Sequence, residues 1–147
     1  MDEPLSIGNS PSSGRSAWRA ACLSLAAAVI LGAFGTHALE RALEVDRLEA
    51  YRTASQYHFY SCFFLFAIAG FRERFRENAD LDARLARAQR IWGWGTMVFC
   101  SSVYLVAVRG LIGLESAGWL GALAPLGGVL LIVGAVLAAA ALSRRSS

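Results

Sequence analysis

The sequence predicts an all-α integral membrane protein, a bundle of four transmembrane helices behind a disordered N-terminal tail. Hydrophobic residues make up 56% of the 147-residue chain and charged ones only 17%, whereas a soluble domain is roughly 45 to 50% apolar. The apolar residues also come in four blocks, residues 17–39, 53–71, 91–113 and 119–142. Each block has about the 17 to 25 residues needed to cross about 30 Å of hydrocarbon at 1.5 Å per residue. A soluble, alanine-rich bundle is disfavoured because its helices would need a polar stripe, and these four lack a continuous one.

These blocks set the domain organisation. Residues 1–16 read as a disordered cytoplasmic tail, 17–142 as one four-helix membrane domain, and 143–147 as a second cytoplasmic tail. No separate soluble domain fits in the remaining length. The net charge of +3 does not indicate nucleic acid, because all 14 basic residues are arginines distributed by side. Arg15, Arg19, Arg72, Arg74, Arg76, Arg84, Arg87, Arg90, Arg144 and Arg145 share one side, against Arg41, Arg47, Arg52 and Arg109 on the other. By the positive-inside rule this split predicts that both termini of a multi-pass membrane protein are cytoplasmic. Arg15 and Arg19 ahead of an apolar run also resemble a signal peptide, with Thr36, His37 and Ala38 as a poor cleavage site. The run is at or beyond the upper length of such a segment, so it is read as a span.

The first span carries small residues at four-residue spacing, Ala20, Ser24, Ala28, Gly32 and Thr36, with Gly35 beside them. Small residues let a second backbone approach where lipid offers no hydrophobic drive, so this face is expected to pack against a neighbour. From Glu40 to Arg52 acids and bases alternate around Leu43, Val45, Leu48 and Tyr51. Such a segment suits an interfacial helix or a solvated extension of the first span better than a substrate lid.

The second span opens on Ser55, Gln56, Tyr57 and His58, turns apolar, and stops at Arg72, Arg74 and Arg76. Asn78 and Asp80 then offer caps for a short helix bearing Arg84 and Arg87. In the third span Trp92 and Trp94 suit the interface, and Gly93, Thr96 and Cys100 form a second narrow face, with Ser101, Ser102 and Tyr104 near by. A nucleophilic serine there would need an elbow motif or an acidic partner, and neither is in the sequence. Pro125 either breaks the fourth helix or sits in its first turn after an irregular lead-in, which the sequence slightly favours. Gly127, Gly134 and Ala141, seven apart, with Gly128 adjacent, are expected to face a neighbouring helix. Cys22, Cys62 and Cys100 lie within spans and show no metal-type spacing, so they read as small apolar side chains.

Three segments together resemble a known family: Leu31 to Leu39 (LGAFGTHAL), Phe99 to Tyr104 (FCSSVY) and Ala124 to Gly128 (APLGG). They follow the order and spacing of the small four-helix membrane proteins catalogued as domain of unknown function 423, which include bacterial inner-membrane members and the vertebrate transmembrane protein 256. The resemblance covers about residues 27–137. It implies four spans in a bacterial inner or organelle membrane and brings no established activity, substrate or cofactor. There is one departure. Where the family places a further histidine a few residues into the second span, this chain has Ser61, with His58 one turn before it.

Function is less legible. Packing glycines, interfacial aromatics and topology arginines favour a non-enzymatic protein with a structural, assembly or stress-related role. Its expected partners are the lipid bilayer and either a second copy or another membrane protein, with no cofactor and no nucleic acid. A small oligomeric transporter or channel is the alternative, supported by Pro125 and polar span ends but short of an acid near mid-membrane, since Glu40 and Glu115 lie at the edges. Haem or metal ligation through His37 and His58, the only two histidines, is a second alternative. These histidines also define the candidate site. His37 near the outer end of the first span, Glu40 three residues on, and His58 about 7 Å into the second predict one polar cluster at the outer boundary.

Overall fold

The computed structural model describes residues 12–143, except Glu115 and Ala117. Its helices are α1 (Ser12–Phe34), α2 (Val45–Arg74), α3 (Ala79–Val108) and α4 (Leu123–Ser143), with no strand among the described residues. A π-helical turn, Gly35–Leu39, extends α1, and a 3-10 turn, Gly118–Ala122, leads into α4. The expected tails lie mostly outside the described residues, as do Arg144, Arg145 and Glu115, while α1 begins within the expected tail, at Ser12.

Successive helices run antiparallel. Trp18 meets Phe66 and Ser24 meets His58 between α1 and α2. Phe64 stacks on Trp92 and Tyr57 meets Phe99 between α2 and α3. Gly127 lies against Phe99 and Gly134 against Trp92 between α3 and α4. The α3–α4 contact is the most extensive, while α1 packs chiefly along α2. One apolar cluster, including Leu39, Tyr51, Cys100 and Ala107, fills the end where α1 passes into α2. Another, including Ile68, Leu85, Ala138 and Ala141, fills the opposite end.

Three stretches are long and apolar enough to cross a membrane: Gly14–Leu39, Ala79–Val108 and Gly118–Ser143. The block expected as the second span, residues 53–71, is the larger part of α2, which falls outside this set. Gln56, His58, Tyr57, Tyr60 and Ser61 dilute its hydropathy.

Two boundaries differ from the sequence expectation for local reasons. The charged stretch ahead of the second span continues into α2 from Val45, because nothing between Val45 and Thr53 breaks a helix. The short helix expected after Asn78 runs on as α3, since no glycine or proline lies between Ala79 and Trp92. Asn78 does cap it, its side-chain oxygen accepting from the Leu81 N–H at 3.0 Å. Pro125 is the third residue of α4, in the first turn, where its missing N–H costs little. No mid-helix break exists there.

Candidate functional site

The small residues sort by helical geometry. On α1 and its π-helical extension the buried positions are Ala21, Ala28 and Gly35, seven apart, with Ala17 and Leu39 four residues beyond either end. A strict four-residue stripe gains about 40° on the helix at each step and winds off the contact face. Ala28 is therefore buried and Gly32 half-buried beside Ser55 and Phe59. Thr36 is exposed, its hydroxyl returned to the Gly32 carbonyl at 3.0 Å. Gly35 lies directly under the Tyr51 ring.

On α4, Gly127 and Gly134 lie against the backbone of α3. A Cβ on Gly128 would meet nothing within 4 Å, and the same holds for Gly93 on α3. These two are therefore not packing glycines: each lies about 200° around its helix from Gly95 or 100° from Gly127, and so on a different face. The α3 glycine at the contact is Gly95, whose Cβ would come 2.8 Å from the Leu131 nitrogen. Cys100 is buried in the first apolar cluster.

His37, Glu40 and His58 are not brought together. His37 is exposed on the π-helical turn, and Glu40 pairs with Arg52 at 3.3 Å. His58 Nε2 lies 3.3 Å from the Ser24 hydroxyl, whose oxygen also accepts from Cys62 Sγ at 3.4 Å. Ser24 precedes His37 by thirteen residues, about 20 Å along the helix, too far for both imidazoles to reach one iron or zinc. The cause is the early start of α2, which carries His58 more than three turns into the helix instead of to its mouth. Among the described residues no group of three His, Cys, Asp or Glu side chains is placed to hold a metal.

Besides bonds within single helices, such as Thr96 to the Trp92 carbonyl and Ser102 to the Phe99 carbonyl, other polar contacts tie one helix to the next. Tyr51 donates its hydroxyl to the Leu31 carbonyl at 2.8 Å, just before the π-helical turn in which its ring covers Gly35. At the opposite end Arg72 is buried. Its Nε bonds Asp82 at 2.8 Å and its Nη1 bonds the Gln89 carbonyl oxygen at 2.9 Å, locking α2 to the start of α3. Tyr51 and Arg72 were both visible in the sequence, one between charges and one in an arginine run. Nothing in their spacing singled them out, because each acts on a distant partner.

Because α1 leans on α2, a cleft of about 750 Å³ opens between α1 and α3. Its floor is the α2 row His58, Leu65 and Arg72, spaced by seven, and Gly93, Trp94 and Met97 of α3 form one wall.

Residues 31–128 match the family described as "Protein of unknown function (DUF423)". This chain belongs to the DUF423 family. The DUF423 match spans the end of α1 through the sixth residue of α4, so it takes in the π-helical turn, the Tyr51 and Arg72 ties and most of the cleft. Among curated proteins the chain is similar to the UPF0382 membrane protein YwdK of Bacillus subtilis (strain 168), with 32% identity over 110 residues, 72% of this chain and 78% of that one. No solved structure matches. Family membership and the three apolar helices make this DUF423 chain a membrane protein.

Proposed function

We propose that this DUF423 protein is a non-enzymatic component of the cell inner membrane with a structural or assembly role, associating with itself or with another membrane protein. The observation that supports this reading is the use of its polar side chains. Ser24 with His58, Tyr51 with Leu31, and Arg72 with Asp82 and Gln89 each join one helix to the next. In lipid such bonds hold a bundle together where hydrophobic drive is absent.

In this reading α2 crosses the bilayer as the fourth span. It lies antiparallel between α1 and α3 and has no charged residue from 53 to 71. Both termini then face the cytoplasm, in line with ten arginines on that side and four on the other.

The test is in-membrane cross-linking followed by purification of the tagged full-length chain in mild detergent. A defined homo-oligomer or a stoichiometric membrane partner is expected. A monomer without partners, in membranes and in detergent alike, contradicts the reading.

A further inference from the structure

The α1–α3 cleft combines three features. It lies between α1 and α3, and its walls over much of its length are apolar: Ala17 and Ala20 of α1, Leu65 of α2, and Trp94 and Met97 of α3. Gly93 sits on its wall with nothing within 4 Å of where a Cβ would be, so this glycine serves no helix contact and leaves a smooth channel. Positive charge gathers at one end. Arg90 is exposed on the rim and enters no ion pair among the described residues, while Arg72 lies in the floor with its charge balanced by Asp82. Arg90 therefore supplies the unbalanced charge, and Gln89 holds Arg72 in place beside it.

The dimensions match one leaflet. From Arg90 to Cys100, ten residues along α3, is about 15 Å, which is half of a hydrocarbon core of about 30 Å. A volume of about 750 Å³ falls within the roughly 300 to 1,000 Å³ of sites that enclose small ligands. We propose that this cleft is a binding site for one anionic phospholipid, its phosphate at Arg90 and an acyl chain lying along Gly93 and Met97 between α1 and α3. Arginine suits this role because its planar guanidinium can pair with two phosphate oxygens at once. The chain of a bound lipid would also cover the side of α1 that α2 leaves open. The proposal stands apart from the assembly role, since a bound lipid requires no protein partner.

The experiment uses the full-length protein in mild detergent, stripped of endogenous lipid, with native mass spectrometry as the readout. Phosphatidylglycerol and phosphatidylcholine carrying the same acyl chains are added separately. One phosphatidylglycerol per chain is expected, held about tenfold (about 1.4 kcal/mol) more tightly than phosphatidylcholine, whose quaternary ammonium offsets the phosphate charge that Arg90 would neutralise. Arg90→Gln should remove that preference. Gly93→Leu, which grows into open space, should abolish binding of both lipids while helical circular dichroism is unchanged. Equal retention of the two lipids by the wild-type chain overturns the proposal, as does wild-type phosphatidylglycerol binding by Gly93→Leu. A dimer that takes up neither lipid would mean that a second copy fills the cleft, and overturns it too. Should Gly93→Leu lose helicity, the Arg90→Gln comparison decides alone.

Discussion

Gly127 and Gly128 are adjacent on α4, yet the structure assigns them opposite fates. Replacing either by alanine brings the same gain in helix propensity, at most about 1 kcal/mol, so the difference between the two variants isolates packing. A Cβ on Gly128 enters open space. On Gly127 it would lie 2.7 Å from both Cα and Cβ of Phe99, with the Phe99 nitrogen closer still. Those atoms belong to the α3 backbone and the root of a side chain, which cannot swing aside. Restoring ordinary contact requires α4 to retreat by about 1 Å, and a gap of that size forfeits about a quarter to a half of each neighbouring contact. Overpacking of this kind costs about 1 to 3 kcal/mol. The predicted difference is therefore about 2 kcal/mol, with Gly127→Ala the less stable. Equilibrium unfolding of both variants in detergent micelles measures it. Equal stability would refute the backbone contact between α3 and α4.

Removing the Tyr51 hydroxyl in Tyr51→Phe leaves the ring on Gly35 but strands the Leu31 carbonyl bond, and the expected loss is about 1 kcal/mol in the same unfolding assay. Arg72→Met should cost less than Asp82→Ala combined with Gln89→Met, because the second change takes from a buried guanidinium both the carboxylate of Asp82 and the carbonyl oxygen of Gln89. Breaking one side of such a buried pair costs about 3 to 5 kcal/mol, whereas replacing the charge itself can be far milder. Unfolding midpoints of the two variants give the order, and the reverse order would mean that Asp82 and Gln89 are not what holds Arg72.

How much was legible in the sequence depended on the reach of each signal. Helix existence follows from apolar blocks and was readable. The contact at Gly127 and Gly134 was readable because seven-residue spacing keeps its face. The four-residue stripe from Ala20 to Thr36 was misleading at its ends for the complementary reason. Ala21 and Gly95, which do pack, were not singled out, since each lies one or two residues from a more conspicuous neighbour. The polar cluster failed on one boundary. Placing the start of α2 at Thr53 instead of Val45 put His58 at the same depth as His37, and eight further helical residues moved it to Ser24. The Arg72 tie needed the third dimension altogether, because seventeen residues separate Arg72 from Gln89 in the chain.

The register of α1 against α2 sets which polar side chains meet, and disulfide formation in native membranes reads that register directly. In a chain with Cys22→Ser and Cys100→Ser, a Ser24→Cys substitution places a thiol opposite the native Cys62, where the Ser24 hydroxyl and Cys62 Sγ are now 3.4 Å apart. Mild oxidation is predicted to join residues 24 and 62 within one chain, while His37→Cys with His58→Cys, in a chain lacking the three native cysteines, stays reduced. A disulfide between positions 37 and 58, with none between 24 and 62, would contradict the account.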